Sequence, residues 1–136
     1  MQAPREGMRR MDRRVLLIED EPNIIEAIRF LLTRDGWAVE THSDGMDAVE
    51  AVARVRPALV ILDMMLPGRS GMDILRDLRA QADHATLPVL MLTARGQSRD
   101  RETAEKAGVS RYMTKPFSNT EVLAAVRDLV AQAHRP

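Results

Sequence analysis

The stretch Leu-Val-Ile-Leu-Asp-Met-Met-Leu-Pro-Gly, residues 59–68, decides how the rest of the chain can fold. Its first four side chains are apolar without polar alternation, which is typical of a parallel strand that helices cover on both faces. An acid, Asp63, follows this strand directly, and Pro67-Gly68 then favours a turn. The stretch therefore predicts a buried strand whose carboxyl end presents a charged side chain at the edge of a sheet.

Short apolar runs alternate with longer amphipathic stretches on both sides of this segment. The alternation is typical of repeated βα units that form a parallel sheet with helices on both faces. The predicted fold class is therefore α/β, a doubly wound, five-stranded parallel sheet. The five predicted strands are Val15–Ile18, Trp37–Thr41, Ala58–Leu62, Val89–Leu92 and Ser110–Met113.

Five helices are predicted from residues that start or stop a helix. Asp44 is expected to cap the second helix, which would carry Met46 and Val49, and Gly108 is expected to end the fourth. The other helix starts are marked by Pro22, by Ser70 with Asp73, by Ser98, and by the capping-box pair Ser118 and Glu121. Trp37 is expected to contribute packing only.

Composition restricts the kind of function that is expected. The 136 residues fit one domain, and 20 basic residues balance 20 acidic ones, so no global field attracts nucleic acid or an anionic membrane. The absence of cysteine excludes disulfides and thiolate chemistry, and the longest apolar runs fall far short of the roughly 20 residues that span a bilayer. We therefore expect a local polar site in a cytoplasmic protein that binds neither nucleic acid nor a membrane.

Polar side chains follow four of the five predicted strands: Glu19 and Asp20, Asp63, Thr93, and Lys115. In an open parallel sheet the carboxyl ends of the strands meet at one edge, where ligands bind. Three carboxylates in one cleft repel each other and need a counter-charge, and Mg²⁺ prefers such oxygen ligands together with a phosphate. Mn²⁺ can take its place, whereas Zn²⁺ is not expected because cysteine is absent and the histidines lie outside this set.

These residue types suit phosphoryl transfer to a carboxylate. A carboxylate can act as a nucleophile and form an acyl phosphate when a metal and a cation take up charge on the transferred group. Asp63 is the predicted acceptor, with Asp20 holding Mg²⁺ directly and Glu19 holding it directly or through water. Lys115 would pair with Asp63 and then with a phosphoryl oxygen, to which Thr93 would donate a hydrogen bond.

Four stretches resemble the receiver domain of response regulators in two-component signalling. Besides residues 59–68 they are Val-Leu-Leu-Ile-Glu-Asp-Glu-Pro at 15–22, Val-Leu-Met-Leu-Thr-Ala-Arg at 89–95 and Tyr-Met-Thr-Lys-Pro-Phe at 112–117. Their order and spacing are similar to those of the family. The resemblance implies a flavodoxin-like (βα)5 receiver fold over residues 14–133, with a flexible leader at 1–13 and a C-terminal tail at 134–136.

The resemblance also implies roles that the spacing does not give. The main-chain carbonyl of Met65 would be a Mg²⁺ ligand, the Lys115–Pro116 bond would be cis, and Thr93 and Tyr112 would form a switch pair. A histidine kinase or histidine phosphotransfer protein would donate the phosphoryl group, and a downstream protein or an output domain would respond. The chain would then not be an enzyme that turns over external substrates.

A homodimer through the fourth helix, fifth strand and fifth helix is implied as well. Residues Val109, Ser110 and Arg111 stand where many members of the family have an acidic stretch, which argues against a dimer contact built from acidic and basic side chains there. Glu19-Asp20 replaces the commoner pair of aspartates, which should change the metal geometry only modestly.

Other interpretations remain at this point. An aspartate-nucleophile phosphatase has a second acid two residues after the nucleophile, where this chain has Met65. A receiver-like binding module that is not phosphorylated would be expected to lack an acid, the lysine or the acceptor, and a flavin-binding domain would need a Gly-, Ser- or Thr-rich loop after the first strand. Tyr112 can be a core aromatic residue, and Arg95, Arg99 and Arg101 form either a partner-binding patch or a solvated helix face.

Overall fold

Five parallel strands form one sheet in the order β2-β1-β3-β4-β5 in the computed structural model, which describes residues 13–94 and 98–133. This arrangement confirms the predicted α/β class and the flavodoxin-like fold. The order reverses between β1 and β3, because β2 lies outside β1 while β3 to β5 follow on its other side. The strands are β1 (Arg14–Ile18), β2 (Ala38–His42), β3 (Leu59–Asp63), β4 (Val89–Thr93) and β5 (Arg111–Thr114).

Five helices and a short 3-10 turn connect the strands. The helices α1 and α5 cover one face of the sheet, and α2, α3 and α4 cover the other. Their bounds are α1 (Pro22–Arg34), α2 (Ala48–Val55), α3 (Gly71–Ala80), α4 (Ser98–Ala107) and α5 (Asn119–Ala133), with the 3-10 turn at Ala82–His84.

The three inner strands are apolar because both of their faces are buried. Successive side chains of a strand point to opposite faces. In β3, Leu59 and Ile61 pack under α1 and α5, whereas Val60 and Leu62 pack under α2 and α3. Burying each such side chain contributes about 1.5–3 kcal/mol, so both faces of β3 stabilise the fold. The polar residue that ends the strand, Asp63, is itself buried, as is Met64 after it, and exposure begins at Met65.

Two of the predicted helix caps are confirmed. The hydroxyl of Ser70 accepts a hydrogen bond from the N–H of Asp73 (3.2 Å) at the start of α3. Before α5, the N–H of Ser118 donates to the carboxylate of Glu121 (2.9 Å), and the N–H of Glu121 donates to the hydroxyl of Ser118 (3.1 Å). This reciprocal pair is the capping box expected from the sequence.

The predicted cap of α2 is wrong. The helix begins at Ala48, four residues after Asp44, and Met46 lies in the loop before it with an exposed side chain. The carboxylate of Asp44 accepts a hydrogen bond from the N–H of Met46 (2.8 Å), a local turn that competes with helix capping. The N–H of Gly45 donates to the carbonyl of Pro67 (3.0 Å), which holds this loop against the loop that follows Asp63.

A polar cluster joins the end of α1 to α5. The guanidinium of Arg127 donates hydrogen bonds to both carboxylate oxygens of Asp35. These bonds, and then a hydrogen bond from Trp37, lower the pKa of Asp35. The indole N–H of the buried Trp37 donates to the same carboxylate (3.0 Å), and Arg13 stacks on the Trp37 ring at 4.5 Å from its centroid. Trp37 precedes β2 by one residue.

Residues 1–12 of the predicted leader and the predicted tail at 134–136 lie outside the described residues.

Helix α4 is attached to the sheet less firmly than the other helices. Ala104 is its single buried side chain within residues 99–107, and the remaining side chains there are mostly charged and exposed. Arg99 and Arg101 are both exposed, while Arg95 lies outside the described residues. Because little apolar area is buried beneath α4, the free energy that holds it on the sheet is small.

Candidate functional site

Three acids meet at the edge of the sheet where the strand order reverses. Glu19 and Asp20 follow β1 and Asp63 ends β3, and one carboxylate oxygen from each lies within 4.8 Å of the others. Their burial differs: Glu19 is 0% and Asp63 4% exposed, whereas Asp20 is open to solvent. The sequence predicted that these acids share an edge, but it did not distinguish the buried acids from the exposed one.

Lys115 supplies the positive charge of this cleft from the loop after β5. Its ammonium nitrogen lies 3.1 Å from Oε1 of Glu19 and 3.6 Å from Oδ1 of Asp63. The N–H of Lys115 donates to the carbonyl of Thr93 (2.7 Å), and the Lys115–Pro116 peptide bond is cis, as the family resemblance predicted. The lysine was expected to pair with Asp63, and its shorter contact with Glu19 was not anticipated.

The surroundings of Glu19 in the cleft raise its pKa above the ordinary value. Burial, then the charge of Asp63 and a hydrogen bond shared with it, raise the pKa of Glu19, although N–H groups and Lys115 act in the opposite direction. Oε2 accepts hydrogen bonds from the N–H groups of Asp20 and Glu21 (both 3.2 Å). Oε1 accepts no hydrogen bond of normal geometry from the described residues, even though the ammonium of Lys115 is close.

These residues fit a divalent cation with oxygen ligands. A buried carboxylate oxygen without a well-formed hydrogen bond is costly, and two adjacent buried carboxylates repel each other. A cation among Glu19, Asp20 and Asp63 would remove both penalties, and an all-oxygen set open to solvent on one side suits Mg²⁺.

We expect Glu19→Gln to stabilise the metal-free chain by about 1 kcal/mol at neutral pH and to weaken Mg²⁺ binding. The amide removes a buried charge and can donate a hydrogen bond to Asp63. The pKa of Glu19 is raised in the folded chain from its ordinary value of about 4.5. The protonated side chain therefore favours the folded state at a pH below 4.5, and this stabilisation is lost as the pH rises through the raised pKa. The difference between the variant and the parent chain should therefore shrink at acidic pH.

Urea unfolding in EDTA at several pH values, together with a Mg²⁺ titration, measures both effects. Glu50→Gln, at an exposed position on α2, is the matched control and should change neither quantity appreciably. A Glu19→Gln variant that is less stable than the parent chain in EDTA at pH 7 would contradict this account of the cleft.

The loop after Asp63 is held by main-chain contacts. The N–H of Met65 donates to Oδ1 of Asp63 (3.3 Å), and the N–H of Gly71 donates to the carbonyl of Met64 (2.9 Å). A Cβ atom at Gly71 would lie 2.2 Å from the carbonyl oxygen of Asp63, so no other residue fits there without moving that backbone. The need for glycine at position 71 was not predicted, and its only signal in the sequence is its place directly after the capping serine of α3.

A hydrogen-bonded chain connects the cleft to β5. The buried Thr93 donates its hydroxyl hydrogen to the sulfur of Met64 (3.8 Å) and shares a side-chain hydrogen bond with Tyr112. Tyr112 is itself buried, and this burial, with the charge of Asp100, raises the pKa of its hydroxyl. Arg101 of α4 stacks on the Tyr112 ring at 5.2 Å from its centroid. The family resemblance implied that Thr93 and Tyr112 act as a pair, whereas the contact of Thr93 with Met64 was not predicted.

Within residues 13–94 and 98–133, no helix has the length and apolar character needed to cross a membrane.

The fold and the grouped acids, hydroxyl and lysine define a class of signalling domain. The chain belongs to the response regulator receiver domain family, whose family model matches residues 15–127.

Two curated relatives come from Mycobacterium tuberculosis (strain H37Rv). The chain is 43% identical over 126 residues to the probable transcriptional regulatory protein TcrX. The aligned region covers 90% of this chain and 53% of TcrX. The chain is 42% identical over 120 residues to the transcriptional regulatory protein TrcR, and the aligned region covers 88% of this chain and 46% of TrcR. The chain thus spans about half the length of these relatives.

Solved receiver domains have the same fold. One is the receiver domain of a sensor histidine kinase from Pseudomonas aeruginosa PAO1 with a magnesium ion coordinated in its active site cleft (TM-score 0.80, 31% identity, 88% of this chain and 98% of that one). Another is the BeF3-activated N-terminal receiver domain of Klebsiella pneumoniae RstA (TM-score 0.80, 32% identity, 86% of this chain and 97% of that one).

Proposed function

We propose that this chain is a phospho-accepting receiver domain in which Asp63 takes a phosphoryl group from a phosphohistidine of a histidine kinase or a histidine phosphotransfer protein. The observation that carries the proposal is the placement of Lys115 within 3.6 Å of Asp63 in a cleft with two further acids. A nucleophilic carboxylate, a cation and a metal-binding set of oxygens are the groups that this chemistry needs.

Side chains of this chain supply the nucleophile and the cation for the proposed phosphoryl transfer. An oxygen of Asp63 attacks phosphorus as the bond to the donor histidine nitrogen breaks, which forms an acyl phosphate and releases the histidine. Lys115 turns from Glu19 toward a phosphoryl oxygen and balances its charge. Asp20, Asp63 and the carbonyl of Met65 would hold Mg²⁺, with Glu19 a ligand directly or through water. When bound, Mg²⁺ (or Mn²⁺) neutralises charge on the transferred group.

The switch would begin at Thr93. The phosphoryl group adds about −1.5 to −2 charges, and its oxygens are far stronger acceptors than the thioether of Met64, to which the Thr93 hydroxyl now donates. Movement of Thr93 alters its hydrogen bond with Tyr112 and hence the packing of α4 and β5. The face formed by α4, β5 and α5 would then bind a downstream protein, an output domain or a second copy of the chain.

The proposed role is that of a signalling component in the cytoplasm. The domain assists its own phosphorylation and dephosphorylation but turns over no external substrate. The described side chains of the cleft are mostly carboxylates, with Lys115 among them, so we expect any contact with DNA to be made by an output partner.

Acetyl phosphate with Mg²⁺, followed by intact-mass measurement, tests this function. We expect one added phosphoryl group per chain, located on Asp63 by fragmentation, and no adduct in EDTA. A chain that takes up no phosphoryl group under these conditions would instead be a receiver-like binding module. Steady hydrolysis of a generic phosphate ester would favour the phosphatase interpretation.

A further inference from the structure

Met64 lies between the proposed phosphate acceptor and the pair formed by Thr93 and Tyr112. It follows Asp63 directly, and its side chain is only 8% exposed. Its sulfur accepts a hydrogen bond from the hydroxyl of Thr93 (3.8 Å), and its side chain belongs to the same apolar cluster as Tyr112 and Ala104. One side chain therefore joins the hydroxyl that a phosphoryl group would attract to the cluster beneath α4.

The main chain of Met64 is fixed on both sides. Its N–H donates to the carbonyl of Leu92 (3.0 Å), and its carbonyl accepts from the N–H of Gly71 (2.9 Å). Burial in the apolar cluster then limits the rotamers that the otherwise flexible side chain can adopt. The sulfur consequently has a defined position beside β4.

The contact between Thr93 and Met64 is a weak hydrogen bond at a buried place. Thr93 is 0% exposed, so its hydroxyl hydrogen needs an acceptor from the protein. A thioether sulfur is a weak acceptor, and Thr93 also shares a side-chain hydrogen bond with Tyr112. The bond to the sulfur satisfies the hydroxyl, yet a stronger acceptor can replace it at little cost.

We propose that Met64 is a positioning residue that controls how readily Thr93 leaves its place in the unphosphorylated chain. The Met64 sulfur keeps the Thr93 hydroxyl engaged until phosphoryl oxygens on Asp63 compete for its hydrogen. The strength of this one acceptor sets the balance between the two places of Thr93. The consequence for phosphorylation rests on the proposed function, whereas the control of the Thr93 side chain does not.

Two substitutions of Met64 should shift the Thr93 rotamers in opposite directions. Met64→Leu conserves volume but removes the acceptor, so the population of other Thr93 rotamers should rise by about two- to fivefold. Met64→Gln supplies a carbonyl oxygen, a stronger acceptor, and should lower that population. Three-bond couplings of the Thr93 methyl group, measured by NMR in the metal-free chain, report these populations without any phosphorylation.

The rate of phosphorylation by acetyl phosphate with Mg²⁺ should follow the same order. Met64→Leu should react about two- to fivefold faster than the parent chain, because Thr93 gives up less when it turns to the phosphoryl group. Met64→Gln should react more slowly, after correction for the folded fraction by urea unfolding. Both differences should vanish in a Thr93→Val background, since valine has no hydroxyl to donate.

Met91→Leu is the matched control. Met91 is a fully buried methionine of the same apolar cluster, on β4. Its replacement should leave the Thr93 rotamers and the phosphorylation rate as they are in the parent chain. If Met64→Gln does not fold, Met64→Leu and the Thr93→Val background still decide the question.

Three results would overturn the proposal. Unchanged Thr93 rotamers in Met64→Leu would assign the control of the hydroxyl to Tyr112. Equal effects of Met64→Leu and Met91→Leu, or an effect of Met64→Leu that persists in the Thr93→Val background, would indicate a packing change instead. A parent chain that takes up no phosphoryl group would refute the proposed function alone, and the rotamer measurement would then decide the role of Met64.

Discussion

Asp63→Asn is expected to abolish phosphorylation completely and to weaken Mg²⁺ binding by at least about tenfold. The amide is not a nucleophile toward phosphorus, and the cleft loses one of the three carboxylates that lie within 4.8 Å of each other. Intact-mass measurement after incubation with acetyl phosphate reads the first effect. A Mg²⁺ titration, followed through the spectroscopic signals of residues near the cleft, measures the loss of Mg²⁺ affinity.

The variant should keep its fold, which separates a chemical loss from an unfolded chain. Asp63 is 4% exposed and its charge raises the pKa of Glu19, so removing that charge relieves repulsion in the metal-free cleft. Urea unfolding in EDTA should therefore show stability equal to or above that of the parent chain. Asp83→Asn, at an exposed position in the 3-10 turn, should be phosphorylated normally. An Asp63→Asn chain that still gains a phosphoryl group would place the acceptor elsewhere.

Gly71→Ala is expected to destabilise the folded chain by about 1–3 kcal/mol. The new Cβ would meet the carbonyl oxygen of Asp63 at 2.2 Å and the Cα of Met64 at 2.9 Å, and both are backbone atoms. Relief requires the loop after β3 to move, and this loop positions Asp63 and Met65. Phosphorylation by acetyl phosphate should therefore slow by more than the fraction of unfolded chain explains.

Gly108→Ala serves as the control for a strained glycine far from the cleft. Gly108 follows α4 with φ of 98°, so alanine is disfavoured there by the backbone, while the nearest side chain is that of Arg79. This variant should lose stability yet keep its Mg²⁺ affinity and phosphorylation rate in the folded fraction. Equal rates for Gly71→Ala and the parent chain would show that the loop adjusts without cost.

The strands were predictable because burial of both faces leaves an unambiguous apolar run. The predicted Val15–Ile18 and Val89–Leu92 differ from the observed strands by one residue, and the capping box of Ser118 and Glu121 is present. The edge location of the acids also followed from the sequence, because parallel strands end at the same side of a sheet. Chain-local patterns were enough for these features.

The burial of individual acids and the detailed partners of Lys115 were not predictable, because they depend on how distant segments pack against each other. Nothing local distinguishes Glu19, which is fully buried, from the adjacent Asp20, which is exposed. The approach of Lys115 to Glu19 depends on how β5 reaches the cleft. The cap of α2 was mispredicted because Asp44 can satisfy either a turn or a helix start, and the contact of Gly45 with Pro67 favours the turn.

The cluster of Arg127, Asp35 and Trp37 has a mechanical consequence for how a signal can spread. It adds a side-chain contact between the last helix and the end of the first, which also pack on the same face of the sheet. On the opposite face, Ala104 is the single buried side chain of α4 within residues 99–107, and the exposed Arg101 contacts Tyr112. If Asp63 is phosphorylated as proposed, we expect the change to move α4 more readily than α1 or α5, because less apolar area holds α4 on the sheet.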